Sequence, residues 1–145
     1  MPGLWPASPE GKKVKTLAIR QPWCTYIAEG TKTVEVRTWR TAYRGPLLIV
    51  ASGKPQQIED DDGQIVTLPT QVQVCTVDLI DCRPFLRGDL AASCLSEYDT
   101  GFYGWHLATP RHVRPIPHKG KLSLYRTPEG CEHLPDEMHY LDFLP

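Results

Sequence analysis

The sequence predicts an α+β, mainly β domain: a small barrel of five or six mixed strands with one or two flanking helices. Three observations carry this. Short runs rich in β-branched and aromatic residues recur from Val14 to Tyr125, separated by Gly, Pro and Asp turn residues. Only one segment carries strong helix-boundary signals. Strands do not alternate with long helical periods, as a doubly wound parallel sheet would require.

Val14 to Ile19 reads as the first strand. A short helix to Glu29 follows, with Pro22 suited to its start and Gly30 to the left-handed position just past its end. Trp23, Tyr26 and Ile27 fall on one helical face, which needs a sheet to sit on because two turns cannot persist alone. Thr33 to Trp39 alternates, with Val34 and Val36 on one side and Thr33, Glu35 and Arg37 on the other. Tyr43-Arg44-Gly45-Pro46 is turn chemistry. The unbroken apolar run Leu47 to Ala51 is the pattern of a strand buried on both faces.

Residues 53 to 70 are polar, and Asp62-Gly63 between Ile58 and Ile65-Val66 signals a hairpin. In Gln71 to Cys82 the apolar phase slips from even positions (Val72, Val74) to odd ones (Val77, Leu79), so a β-bulge is expected near Cys75-Thr76. Phe85 to Tyr98 reads as a weak helix or crossing loop. Phe102 to Thr109 is a strand, Pro110 to His118 a proline-held loop, and Lys121 to Tyr125 a last strand. The expected organisation is a flexible N-terminal tail (1–13), one barrel domain (14–126) and an acidic C-terminal tail (127–145).

The 145 residues are 41% hydrophobic and 23% charged, within the range of a single folded domain. No apolar run approaches the ~18 residues of a membrane span, and the N-terminus lacks the apolar core of a signal peptide. The five cysteines (Cys24, Cys75, Cys82, Cys94, Cys131) form no Cys-x-x-Cys pair and no zinc-ribbon spacing. A reducing, cytoplasmic setting is expected. Cys131, His133 and His139 have only loose ligand spacing, Asp60-Asp61-Asp62-Gly63 lacks the rest of a calcium loop, and no phosphate loop or nucleotide fingerprint is present. Neither a metal nor an organic cofactor is expected.

Charge is segregated along the chain. Residues 12–54 hold nine Lys/Arg against Glu29 and Glu35, and residues 101–126 hold five Lys/Arg and no acid. Residues 55–100 hold nine acids against Arg83 and Arg87, and residues 127–145 hold five acids and no base. If the basic blocks fold side by side they form a phosphate-attracting face; the alternative is that each block pairs with its acidic neighbour.

The motifs with chemical content are Leu17-Ala18-Ile19-Arg20-Gln21-Pro22-Trp23 and Gly30-Thr31-Lys32-Thr33-Val34-Glu35-Val36-Arg37. Together they resemble the ASCH domain, whose hallmark is a G-x-K-x-x-E-x-R stretch after an R-Q-P-W-type helix start. The resemblance extends through Tyr43 to Ile49, Val74 to Leu79, Gly104-Trp105 and Pro115 to Leu122, covering roughly residues 14–126. It implies a PUA-like barrel, a cleft beside residues 30–37 and an association with RNA, single-stranded or as a nucleoside. By that resemblance some family members are ribonucleases, some resemble acetylcytidine amidohydrolases, and one branch is a module of a transcription coactivator. The amidohydrolase pattern has Thr three residues after the Lys, where this chain has Glu35.

The residues themselves suggest roles. Lys32 is a base if burial or neighbouring charge lowers its pKa, and a phosphate contact if exposed. Glu35 lies beside Arg37 on one strand face, about 7 Å along the strand; it would hold Lys32 or Arg37, or act as an acid or base. Tyr26, one turn before Gly30, completes the candidate catalytic set of Lys32, Glu35 and Tyr26. Arg20, Gln21, Arg37, Arg40, Arg44, Lys119 and Lys121 are the candidate nucleic-acid contacts. Thr33, Trp39, Tyr43 and Ser123 are candidate cleft residues; Trp39 and Tyr43 interleave with Arg40 and Arg44 as aromatic and cationic partners for unstacked bases. The plain alternatives are that Gln21 caps the helix, Trp23 is core, and Glu35 and Arg37 form a surface ion pair of little energy. The function expected is RNA interaction, with metal-free hydrolysis (ribonuclease) using the Lys-Glu-Arg cleft as its catalytic form. The alternatives are a non-catalytic RNA or modified-base reader, an acetylcytidine amidohydrolase, and a module that contacts a protein partner.

Overall fold

In the computed structural model, which describes residues 4–5, 14–127 and 130–144, the strand signals build one six-stranded sheet curled into a half-barrel. In chain order the elements are β1 (Leu4–Trp5), β2 (Val14–Arg20), α1 (Trp23–Ala28), β3 (Val34–Arg37), β4 (Gly45–Ser52), β5 (Gln56–Glu59), β6 (Ile65–Leu68), β7 (Gln73–Pro84), α2 (Leu90–Ser93), β8 (Tyr103–His112), β9 (Tyr125–Thr127) and β10 (Cys131–Glu132). The sheet order is β3-β8-β7-β4-β2-β9. β2 and β4 run parallel and the other neighbours antiparallel, so the sheet is mixed.

β4 shows why its sequence is an unbroken apolar run. Leu47, Ile49 and Ala51 join the main core with Leu17, Ile19, Leu79 and Trp105. Leu48 and Val50 pack on the opposite face with Val14, Val113 and Cys131. A strand covered on both sides has no solvent face on which to place a polar residue. The phase slip in β7 is also real. Ile49 pairs with Cys75 and Val50 with Gln73, leaving Val74 as the extra residue beside the expected site. Further register shifts against β8, between Thr76 and Asp78 and between Leu79 and Asp81, bend the strand around the core.

β5 and β6 form the expected hairpin, with Ile58 opposite Val66. Asp60 organises its turn: one carboxylate oxygen accepts from the amides of Asp62 (2.9 Å) and Gln64 (2.8 Å). Gly63 supplies the left-handed residue (φ +79°).

Several expectations change. β8 continues to His112, with Arg111 and His112 paired to Thr76 and Cys75, so the first residues of the expected Pro110 to His118 loop belong to the strand. The last strand is Tyr125–Thr127 rather than Lys121 to Tyr125, because residues 122–124 bend, with Ser123 at φ +59° and Leu122 93% exposed. The acidic segment after Thr127 is not a loose tail. Leu134 and Tyr140 are buried in the main core, with Leu141 and Phe143 packed against it, while acids such as Asp136 and Glu137 stay outside. Its apolar residues thus anchor a segment whose overall composition suggested solvation. Leu4–Trp5 of the expected N-terminal tail pairs with Cys131–Glu132, and the rest of that tail lies outside the described residues. Cys24, Cys75, Cys82 and Cys94 are free thiols. Among the described residues no helix is long and apolar enough to cross a membrane.

Candidate functional site

The site is built where α1 gives way to β3. The amides of Gly30, Thr31 and Lys32 fold back onto the carbonyls of Ile27 and Tyr26 (3.0–3.1 Å), and Gly30 takes φ +80°, which reverses the chain. That reversal sends Lys32 inward instead of over a solvent-facing rim. Its side chain is 2% exposed. Lys32 Nζ donates to Ser93 O of α2 at 2.5 Å and sits 5.3 Å from the centre of the Trp23 ring. A second bond, Thr33 N to Ala92 O (2.9 Å), ties the same turn to α2. The weak helix after Phe85 therefore acts as a clamp for the α1–β3 turn.

Glu35, 7% exposed, lies between two cations. One carboxylate oxygen is 3.7 Å from Lys32 Nζ; the other accepts from Arg37 Nε at 3.0 Å. Arg37 Nη2 in turn donates to Ala18 O of β2 (2.9 Å). Burial lowers the Lys32 pKa, and the negative charge of Glu35 partly opposes that shift. The surface ion pair considered for Glu35 and Arg37 is thus a three-residue chain, buried at Lys32 and Glu35 and partly exposed at Arg37, that fixes both cations.

Around this chain the half-barrel opens into a two-lobed cleft. The larger lobe, about 710 Å³, lies between the end of β2, β3 and the 120–123 loop. It brings together Arg20, Trp23, Glu35, Arg37, Trp39, Lys121 and Ser123. The smaller lobe, about 320 Å³, adjoins it at Trp23, Glu35, Val36 and Phe102, which line both. It exposes Lys32 to a space walled by Phe85 and Phe102, with Glu97 and Asp99 contributing acids. Trp39 is set edge-on against buried Trp105 (centroids 4.7 Å apart), and Trp105 Nε1 donates to Trp39 O (3.2 Å). Trp23, expected as core, is only half-buried and forms the partition between the lobes.

Other expected residues are placed elsewhere. Gln21 is 4% exposed, and its amide nitrogen donates to Pro69 O (2.8 Å) and Tyr140 Oη (3.0 Å) while its oxygen accepts from Thr25 Oγ1 (2.7 Å). It neither caps the helix nor reaches the cleft; it joins α1 to the C-terminal segment. Tyr26 lines neither lobe, its ring lying edge-on to Trp23 at 6.0 Å. Thr33 borders only a narrow crevice with Gly30 and Pro110 beneath the turn. Tyr43 donates to Pro46 O and lies under Lys15 Nζ (5.1 Å), the packing role considered for it. Arg44 folds onto Thr41 O (2.9 Å) and Tyr43 O (2.8 Å) and approaches Asp81 (3.5 Å), so its basic block does pair with an acidic neighbour. Arg40 is exposed and lines neither lobe. Lys119 lies on an adjoining pocket, which Lys121 shares.

Sequence reasoning missed Phe102, Phe85, Ser93 and Gly120. Ser93 acts through a backbone carbonyl, which leaves no mark in a sequence. Gly120, between two lysines, was legible as a possible close approach: a Cβ there would lie 2.8 Å from Ala18 Cβ. Among the described residues no cluster of three or more His, Cys, Asp or Glu could hold a metal ion.

Comparison with known proteins agrees with this architecture. The ASCH domain profile matches residues 17–117. Activating signal cointegrator 1 of Mus musculus is 36% identical over 80 residues, and that of Homo sapiens 35% over 80. Each match takes in 46% of this chain but only 14% of the relative's length. Among solved structures, ASCH from Zymomonas mobilis superimposes with a TM-score of 0.58 at 17% identity, over 79% of this chain and 87% of that one. A tyrosine-to-phenylalanine variant of the same protein gives 0.58 at 16% identity, over 79% and 90%. At such identity the structural likeness speaks to the fold. With the profile spanning most of the folded core, the chain belongs to the ASCH domain family.

Proposed function

We propose that this ASCH domain binds single-stranded RNA and seats one unstacked nucleotide in the two-lobed cleft. One observation carries the reading. A single cavity of about 710 Å³ joins Arg20, Arg37 and Lys121 to the rings of Trp23 and Trp39. Cations recruit phosphates through counterion release, and aromatic rings take up bases that a duplex would keep stacked. Arg20 and Lys121 are exposed and suit the backbone; Arg37, held by Glu35 and Ala18 O, is fixed in the wall and suits a defined contact. The experiment is fluorescence anisotropy of a labelled single-stranded RNA against wild type and Arg20→Ala, repeated across salt concentrations. Affinity that falls steeply with salt and drops in the variant supports the reading. Salt-insensitive association, or none, would remove it.

A second, catalytic reading is favoured by Lys32. Its amine borders the smaller lobe and burial lowers its pKa, so a neutral amine is more accessible than in a free lysine. In ribonuclease chemistry it would take the proton of an RNA 2′-hydroxyl as that oxygen attacks the adjacent phosphorus. The phosphorus–O5′ bond breaks to leave a 2′,3′-cyclic phosphate, and the departing 5′-oxygen takes a proton from water or from the Lys32 ammonium. Arg37, on the larger-lobe side of Glu35, would offset the growing negative charge. Deacetylation of a cytidine lacks support because Glu35 stands where the hydroxyl nucleophile would be. Incubation of RNA with wild type and Lys32→Met, in EDTA, separates the two readings. Cleavage by wild type alone supports hydrolysis; binding without cleavage leaves a reader.

A further inference from the structure

Lys121 borders two cavities. One is the larger lobe of the cleft; the other, about 250 Å³, lies between the 116–121 segment and β9. This second pocket is lined by His118, Lys119, Lys121, Tyr125 and Arg126 and, among the described residues, by no Asp or Glu. It has room for a tetrahedral anion with attendant waters, each water occupying about 30 Å³.

The local excess of positive charge is built into the fold. Lys15 and Arg126 are directly opposed cross-strand partners of β2 and β9, an arrangement of like charges that destabilises a sheet. Among the described residues no carboxylate pairs with Lys119, Lys121 or Arg126. Gly120 keeps two of these cations at the boundary. Its Cα lies so close to the sheet that an added Cβ would meet Ala18 Cβ at 2.8 Å, which presses the loop onto β2 and leaves a lysine on either side. At the wall Gln73, 1% exposed, is held by its amide nitrogen to Gly130 O (3.1 Å).

We propose that this pocket is a phosphate subsite, continuous with the cleft across Lys121, that holds the phosphodiester next to the nucleotide seated there. The proposal rests on the RNA reading above and extends it: the ligand is an oligonucleotide of at least two residues, its backbone crossing the Gly120 ridge. Lysine ammonium groups suit this task because they meet phosphate as point charges without demanding one orientation.

The test uses Lys119→Ala/Arg126→Ala, which removes cations of the second pocket that do not line the cleft. Both side chains are exposed, so folding is checked simply by retained amide dispersion in NMR. Wild type is expected to bind a di- or trinucleotide about tenfold tighter than a nucleoside monophosphate, the size of one hydrogen bond to a charged group. The double variant is expected to lose that gain, keep its monophosphate affinity, and show a salt slope smaller by about 0.7. Equal oligonucleotide affinity in variant and wild type would overturn the subsite while leaving the cleft reading intact. Inorganic pyrophosphate, titrated against labelled wild type, gives an independent readout. Shifts at Lys119, Tyr125 and Thr127 without any RNA affinity would overturn the phosphodiester assignment together with the cleft reading, leaving a pocket that takes only a free anion. Absence of both would overturn the proposal.

Discussion

Lys32→Met isolates the most unusual side chain in the protein. Methionine keeps much of the length of lysine and removes its charge and its donor. Ser93 O then loses the Lys32 amine, and an unsatisfied buried acceptor costs about 1–3 kcal/mol. Glu35 is not stranded, because Arg37 stays at 3.0 Å. The ~3–5 kcal/mol cost of an unpaired buried charge therefore does not apply in full. Relief from burying an ammonium group works the other way, so a net loss of about 1–2 kcal/mol is expected at neutral pH.

The pH dependence sharpens the test. Burial lowers the Lys32 pKa in the folded state, so between that value and the unfolded value near 10.5 the unfolded chain binds the extra proton. Wild-type stability gains from this group as pH rises through that interval, and the gain is absent below it. The gap between wild type and Lys32→Met should widen from pH 7 to pH 10. Cys24, pushed up to about 12 by burial, and Tyr140, also raised, destabilise both proteins alike at alkaline pH and cancel in the difference. Urea unfolding at the two pH values measures it. A gap below about 0.5 kcal/mol at both, within the usual spread of surface substitutions, or one that narrows with pH, would refute the clamp described for Lys32.

Tyr140→Phe removes a hydroxyl bonded to Thr25 Oγ1 (2.6 Å) and Gln21 Nε2 (3.0 Å), but both partners keep another bond, so urea unfolding should report a loss of about 1 kcal/mol. Gly120→Ala, with its Cβ at 2.8 Å from Ala18, should lift the 118–123 loop at a cost of about 1–3 kcal/mol and weaken RNA binding; anisotropy and thermal unfolding together check it. His112, lowered to about 4 mainly by burial and then by His139, accepts from Tyr140 N (3.0 Å) as a neutral ring. Stability from this group is present above about pH 6.5 and declines as pH falls toward 4. His112→Asn should flatten that part of the acid unfolding curve, while His133, similarly lowered, keeps a residual slope.

Much of the chain could be read directly. The strand β4, the Asp60 turn, the α1 stop at Gly30 and the irregularity of β7 depend on neighbours a few residues apart, and local spacing records them. The cleft was legible only in part. Arg20, Glu35, Arg37 and Trp39 belong to contiguous motifs and meet around one cavity. Gln21 belongs to the same motif as Arg20, and Tyr43 to the stretch that follows, yet both serve packing, because a residue's neighbours in sequence do not reveal which wall its side chain faces.

By itself the sequence determined the mixed β architecture, the helix after β2, and the family, since periodicity, turn chemistry and a contiguous motif are written in order along the chain. Tertiary structure alone decided that Lys32 turns inward onto Ser93 O, that the acidic C-terminal segment anchors through Tyr140, and that Gly120 presses Lys121 into the wall between two pockets. Each of these joins residues far apart in the chain through burial or backbone atoms. Such contacts depend on how the sheet curls in space, and side-chain order carries no signal of it.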